Sequence, residues 1–285
     1  MLISEFLSSA TRTLQAIGID SPRLEAELLL STALGVERQR LFLEMNAQLT
    51  DAEHAKANEL LEIRASRFPL QYIMGAIEFL DLAFSVEPGV FIPRPETEIL
   101  VTEARGLLSG LASPVILDVG TGNGVIAIAL AVSKPEAQVH ATDISPLAIE
   151  VARNNAARHG VLDRLSFHIG DLLSAVKPEL LPGGVDIVVS NPPYVPTSQI
   201  PSLAPEVSKY EPLEALDGGP DGLRCIRAIL RDGAALLKTG GWLLLEIGAG
   251  QAEAAREIGT SAGLTGIQTV RDLAGIERVL VTRKA

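Results

Sequence analysis

The chain has 285 residues, 47% of them apolar types, and carries 24 Lys and Arg against 35 Asp and Glu, a formal charge of −11. This composition excludes disorder, whose signature is low hydrophobicity with high charge. The acidity argues against a protein that holds bare nucleic acid by neutralising phosphates. The single cysteine, Cys225, excludes an intrachain disulfide and a cysteine-rich zinc centre. It reads as a small core residue, and no metal site is expected.

The N-terminus, with Glu5 early and no basic segment before an apolar run, does not read as a signal peptide. The longest strongly apolar run, Val125 to Val132, is far shorter than the ~20 residues of a membrane helix. A cytoplasmic protein with no membrane contact is expected.

Residues 1–68 show apolar side chains at helical spacing, among them Leu24, Leu28 and Leu29, then Leu41 and Met45, then Leu60, Leu61 and Ile63. Ser21 before Pro22 reads as an N-cap with Pro at the first helical position. Thr50 with Glu53 three positions on reads as a capping box. Together they predict a small bundle of four or five helices.

Residues 69–95 change texture, with Phe79, Phe84 and Phe91 among Gly75, Pro88-Gly89, Pro93 and Pro95. Short strands at Phe84–Val86 and Gly89–Ile92 around the Pro-Gly turn are expected, forming a hairpin linker. From Glu96 onward strands alternate with helices. Strands are expected at 114–119, 138–143, 165–169, 185–190 and 242–247, with helices at 96–108, 124–133, 146–159, 223–237 and 251–262. Two closing strands near 267–270 and 278–282 lack a helix between them and should pair antiparallel at one edge. The alternation predicts an α/β fold with a doubly wound, mostly parallel sheet of about seven strands.

Asp118-Val119-Gly120-Thr121-Gly122-Asn123-Gly124 follows the first strand of this region and opens a helix. Glycines there let the backbone turn tightly and approach a ligand without a Cβ clash. Val125 makes the spacing G-x-G-x-G, so a dinucleotide oxidoreductase, which needs G-x-G-x-x-G, is disfavoured. Asp118 before the glycines suits a ligand bearing an ammonium group. Asp143 ends the second strand about twenty residues on, where an acidic side chain accepts ribose hydroxyls. Asp171 and Leu172 follow the third strand, where an adenine would lie.

The fourth strand runs into Asn191-Pro192-Pro193-Tyr194. Proline fixes φ, removes an N–H and biases the preceding residue toward extended backbone. The Pro192 carbonyl is thus a rigid acceptor, the Asn191 side-chain oxygen a second one, and Tyr194 a flat face. Two fixed acceptors suit a planar NH2 group. His54, His140, His159 and His168 lie outside the motif and read as surface or packing residues.

With the glycine loop, Asn-Pro-Pro-Tyr resembles the amino-methyltransferase motif of S-adenosylmethionine-dependent enzymes. Further segments narrow the likeness: Pro69–Tyr72, Phe91–Glu98, Glu211-Pro212 with Ala215–Gly219 and Asp221–Leu223, and Glu246–Gly248 with Gln251. Across the whole chain these resemble the bacterial release-factor glutamine N5-methyltransferases. Asn-Pro-Pro-Tyr alone is shared with adenine-N6 nucleic-acid methyltransferases. The Arg-Pro-Glu-Thr-Glu stretch separates this group from relatives acting on a ribosomal protein. Leu172 departs from the larger aromatic of some members.

The resemblance implies a Rossmann-like class I methyltransferase fold, divided as a helical substrate-recognition domain (1–68), a hairpin linker (69–95) and a methyltransferase domain (96–285). It implies S-adenosyl-L-methionine held by Asp118, Gly120, Thr121, Gly122, Asn123, Gly124, Asp143, Asp171, Leu172, Asn191 and Phe91. Asn191, Pro192 and Tyr194 are expected to be catalytic, with Pro193, Arg94 and Glu96 on the substrate side. The implied substrate is the glutamine of the Gly-Gly-Gln loop of peptide-chain release factors, modified by a monomer without direct nucleic-acid contact. The rivals are an adenine-N6 nucleic-acid methyltransferase, a glutamine methyltransferase acting on a ribosomal protein, a dinucleotide oxidoreductase and a non-catalytic binding module.

Overall fold

A computed structural model describes residues 1–176 and 181–285. The chain divides into two compact units, Met1–Ala76 with Ala204–Tyr210, and Ile77–Leu203 with Glu211–Ala285.

The first unit is built on five helices: α1 (Ile3–Ala16), α2 (Pro22–Leu34), α3 (Arg38–Leu43), α4 (Asp51–Ala65) and α5 (Leu70–Met74). Their apolar stripes meet in a core of Phe6, Leu7, Leu14, Leu29, Leu30, Leu41 and Leu61. The capping box on α4 is present, Thr50 Oγ1 accepting from Glu53 N at 3.3 Å and Glu53 Oε2 from Thr50 N at 2.8 Å. Pro22 opens α2 as expected, but the Ser21 hydroxyl makes no cap hydrogen bond. A short helix, α9 in chain order (Pro205–Tyr210), belongs to this unit. Its Glu206 is gripped by Arg64 at 2.9 Å and Arg67 at 2.8 Å, and Arg64 also meets Glu25 at 2.6 Å. A cation as buried as Arg64 needs such partners, because desolvating an unpaired charge is costly.

A hairpin of β1 (Ala76–Phe79) and β2 (Leu82–Ser85) opens the second unit, all but its first residue belonging to it. The expected strand pair around Pro88-Gly89 is corrected here. The hairpin lies earlier and turns at Leu80-Asp81, whose φ values of +49° and +62° suit the twist of a two-residue hairpin. Asn-Gly pairs announce that turn and Leu-Asp does not. Pro88-Gly89 instead makes a local turn, closed by Val90 N donating to Glu87 O at 3.1 Å.

The main sheet contains β3 (Val115–Val119), β4 (Gln138–Asp143), β5 (Leu165–Ile169), β6 (Val185–Ser190), β7 (Leu237–Glu246), β8 (Leu264–Arg271) and β9 (Glu277–Lys284). The spatial order is β5-β4-β3-β6-β7-β9-β8. Strands β3 to β7 run parallel, and β9 runs antiparallel between β7 and β8. The expected antiparallel pairing of the last two strands is therefore present, with the refinement that the final strand sits inside and β8 forms the edge.

Side chains alternate across the sheet. Ile116, Ile187, Val189, Leu244, Val279 and Val281 enter one core with α6 (Thr97–Leu108), α7 (Val125–Ser133) and α8 (Pro146–Arg158). Leu117, Val119, Val188, Leu243, Leu245 and Leu280 enter the other with α10 (Arg224–Leu236) and α11 (Ala252–Ser261). Both faces are covered, as parallel strands require. The chain order reverses between β3 and β6, which opens a crevice at their carboxyl ends.

Candidate active site

The glycine loop leaves β3 at the centre of the sheet. Gly120 N and Thr121 N both donate to Thr142 O, at 2.9 and 2.8 Å, binding the turn to β4. Gly120 and Gly122 have φ of +72° and +57°, and nothing lies within 4 Å of where a Cβ would stand on either. Gly124 is different. Its Cβ would meet Ile128 Cδ1 at 2.8 Å and Ala152 Cβ at 3.1 Å, so this glycine serves helix packing. Asn123 is buried, and its side-chain amide reaches toward the Ser85 carbonyl at 3.4 Å.

Asp118 is fully buried. Its Oδ2 accepts from Thr121 Oγ1 at 2.6 Å and from Ala127 N in the first turn of α7 at 3.2 Å, while its Oδ1 has no hydrogen-bond partner among the described residues. Burial pushes its carboxyl up to about 7, and the charge of Asp143 adds to the effect. Asp143 ends β4 and braces the loop, Oδ2 accepting from Gly122 N at 2.8 Å and Oδ1 from Ser145 N at 2.9 Å. It is not the cap of α8. Ser145 does that, accepting from Ala148 N at 3.2 Å. Asp171, exposed, follows β5, and Leu172 beyond it holds φ +47°, a left-handed conformation uncommon for leucine.

Strand β6 delivers Asn191 beside this loop. Ser190 Oγ donates to Val119 O at 2.6 Å and fastens the two strand ends together. Asn191 Nδ2 donates to Thr97 Oγ1 at 3.1 Å, and Thr97 Oγ1 donates to Glu246 Oε2 at 2.7 Å. Tyr194 OH donates to Glu246 Oε1 at 3.2 Å. Burial raises Glu246 to about 7, opposed by its two hydroxyl donors, with Glu96 pushing it up and Arg278 pulling it down. Burial and the negative Glu246 also raise the Tyr194 phenol, so the hydroxyl stays protonated.

The backbone around Tyr194 is held by a second loop. Val195 N donates to Leu216 O, Gly218 N to Val195 O, and Gln251 Nε2 to Tyr194 O at 2.9 Å. Phe91 and Arg94 lie on the strap before α6, with the Arg94 guanidinium 4.8 Å from the Phe91 ring centre. Arg94 pairs with Glu211, whose other oxygen accepts from Ile92 N at 3.4 Å. Burial pushes Glu211 up and Arg94 pulls it back.

The residues expected from sequence thus gather in two groups. Asp118, Gly120, Thr121, Gly122 and Asp143 form the loop group. Asn191, Pro192, Pro193 and Tyr194 form the other, and Arg94 and Glu96 lie within electrostatic reach of its Tyr194 and Glu246. Thr97, Glu246, Gln251 and Asn155 had no expected role. Asn155 ties Ser85 N and Asn123 O to α8, at 2.8 and 2.9 Å. Glu246 carried one readable signal, an ionisable group at the end of the apolar run Trp242–Leu245, where burial demands a partner.

Doubly wound over seven strands, with one antiparallel insertion and a glycine turn beside Asn-Pro-Pro-Tyr, the second unit is of the class I methyltransferase type. Residues 82–206 match the family described as "Methyltransferase small domain", and residues 5–75 match "PrmC N-terminal domain". A methyltransferase from Pyrococcus furiosus shares the fold with a TM-score of 0.52 at 18% identity, covering 73% of this chain and 91% of that one. The release factor glutamine methyltransferase of Moorella thermoacetica is 41% identical over 98% of this chain and 97% of its own length. That of Geobacter sulfurreducens is 43% identical, over 92% and 90%. The chain belongs to the release factor glutamine methyltransferase family.

Proposed function

We propose that the protein transfers a methyl group from S-adenosylmethionine to the side-chain amide nitrogen of the glutamine in the Gly-Gly-Gln loop of peptide-chain release factors. One observation carries this reading. Asn191 donates an amide hydrogen to Thr97 Oγ1, which turns its Nδ2 toward Thr97 and leaves Oδ1, with the carbonyl of the following Pro192, to accept from a substrate. Two acceptors beside the glycine loop match the two hydrogens of a primary amide.

The methyl donor fits the residues present. Gly120 and Gly122 leave room where a Cβ would stand, and Asp118 Oδ1 is a buried acceptor with no hydrogen-bond partner among the described residues, which suits a cationic ligand end. In this reading the loop and Asp118 hold the amino-acid end, Asp143 accepts from the ribose, and Asp171 with Leu172 borders the base. Phe91 covers the bound cofactor. When bound, S-adenosylmethionine supplies an electrophilic methyl on a sulfonium.

An amide nitrogen is a weak nucleophile because its lone pair is delocalised into the carbonyl. Asn191 Oδ1 and the Pro192 carbonyl would each accept one amide hydrogen, which fixes the nitrogen and stabilises positive charge as it develops there. Tyr194 would pack on the amide plane, with Pro193 shaping the turn and Arg94 and Glu96 bordering the entrance. Orientation of this kind supplies up to roughly 7–11 kcal/mol in well-aligned systems.

Residues 1–68 are proposed to recognise the body of the release factor, with the hairpin segment to residue 95 joining them to the transferase domain. A cytoplasmic site of action follows from the substrate, and among the described residues no helix is long and apolar enough to cross a membrane. Mass spectrometry of release factors incubated with S-adenosylmethionine tests the reading. One added methyl on the Gly-Gly-Gln glutamine is expected. Methylation of duplex adenine but not of the factor would overturn it.

A further inference from the structure

A primary amide such as Asn191 is nearly symmetric in shape, and its oxygen and nitrogen exchange places by a rotation about one bond. The proposed chemistry needs the oxygen toward the substrate. With the amide reversed, Asn191 would offer donors to a group that itself has only donors. Packing does not distinguish the two states, so hydrogen bonding must.

We infer that Thr97 and Glu246 are positioning residues that fix which way round the Asn191 amide stands. This rests on the methyl-transfer reading above. Glu246 is the source of polarity, because an ionised carboxylate only accepts. Its Oε2 accepts a hydrogen bond from the Thr97 hydroxyl at 2.7 Å and its Oε1 one from the Tyr194 hydroxyl at 3.2 Å. With its one proton committed, the Thr97 oxygen can only accept. It therefore takes Asn191 Nδ2 at 3.1 Å and would face an oxygen without a hydrogen between them if the amide reversed. In a buried setting that mismatch leaves both oxygens unsatisfied, which is costly.

The backbone is arranged to hold the relay still. Thr97 is 1% exposed and Glu246 1%. Thr97 begins α6, its N–H donating to Arg94 O at 3.1 Å, while Glu246 ends β7 in register with Val279. The same carboxylate holds Tyr194, so one group sets the polarity of the acceptor and the position of the neighbouring ring. Neither Thr97 nor Glu246 is assigned contact with the substrate.

Thr97→Val, Thr97→Ser and Glu246→Gln in the full-length protein test this against Asn191→Ala, with intact release factor as substrate. The readouts are kcat, affinity for S-adenosylhomocysteine by calorimetry, and the thermal midpoint. Thr97→Val keeps the shape and removes the relay, so kcat should fall by about 100-fold with cofactor affinity unchanged to within about twofold. Thr97→Ser keeps the hydroxyl and should recover kcat to within about threefold of wild type. Glu246→Gln has one acceptor for two hydroxyl donors and should lose about tenfold. Wild-type kcat in Thr97→Val and Glu246→Gln, with Asn191→Ala inactive, would overturn the relay and leave the methyl-transfer reading intact. Wild-type activity in Asn191→Ala would overturn that reading and the relay with it. Equal loss of kcat and cofactor affinity, or no recovery in Thr97→Ser, would assign a purely structural role and overturn the inference. Should Thr97→Val fail to fold, the same readouts on Glu246→Gln decide it.

Discussion

Gly222 stands so close to Tyr194 that a Cβ on the glycine would lie 2.3 Å from the Tyr194 carbonyl oxygen. The same Cβ would lie 2.6 Å from Gln251 Nε2, the group that donates to that carbonyl, and Gly222 has φ +74°. Gly222→Ala should therefore displace the backbone behind the Tyr194 ring and lose about 1–3 kcal/mol of stability. Urea unfolding and kcat measured together check this, with a fall in kcat expected even at temperatures where the variant is fully folded. An alanine variant with wild-type stability and turnover would show that the contact is not held in solution.

Asp143 braces the glycine loop through Gly122 N and is the acidic side chain at the end of β4. Asp143→Ala should weaken S-adenosylhomocysteine binding by about 1.5–3 kcal/mol, the value of charge-assisted hydrogen bonds. Calorimetry reads it directly, and unchanged affinity would remove Asp143 from the cofactor site.

Asn191→Ala removes an acceptor that acts on the substrate amide and should lower kcat far more than cofactor affinity. Single-turnover methyl transfer beside calorimetry separates the two. Retained turnover would defeat the proposed role of the Asn-Pro-Pro-Tyr turn.

Glu246 gives a pH dependence with a definite sign. Its folded value of about 7 lies above the usual carboxyl value near 4 in an unfolded chain. Between these values the folded protein retains a proton that the unfolded chain has released. Stability from this group is therefore highest at low pH and declines as pH rises to about 7. Relative to Glu246→Gln, the wild type should lose on the order of 3 kcal/mol between pH 5 and pH 8 in denaturant titrations. A difference independent of pH would refute the shift. Activity should move the other way. Only the ionised carboxylate accepts from both Thr97 and Tyr194, so kcat should fall below about pH 7, the midpoint being set by burial, Glu96 and Arg278.

In the helical unit, Phe42 and Leu43 are exposed at the end of α3, 51% and 87% respectively. If this unit reads the body of the release factor, Phe42→Ser with Leu43→Ser should raise KM for the intact factor by about tenfold. The variant should leave kcat/KM for a short Gly-Gly-Gln peptide unchanged, and the peptide should be a much poorer substrate than the factor throughout. An unaltered KM would place recognition elsewhere.

Much of the sheet was readable because its signals are local. Short apolar strand runs, the Gly120–Gly124 turn and the paired prolines each lie within a few consecutive residues, and strands 138–143, 165–169 and 185–190 occur where the alternation of strands with helices placed them. The hairpin was misplaced because Leu80-Asp81 adopts left-handed backbone without the glycine or asparagine that normally marks it.

The sequence by itself determined the alternating α/β order, the helical N-terminal region and the identity of the two chemical motifs, since periodicity and backbone restriction act over short spans. The tertiary structure alone decided that Thr97 joins Asn191 to Glu246, across 94 and 149 residues of chain. It likewise decided that β9 lies inside the sheet rather than at its edge. Such hydrogen bonds and strand neighbours depend on where separate elements come to rest. A carboxylate in an apolar strand announces that it needs partners, but only packing selects which hydroxyls reach it.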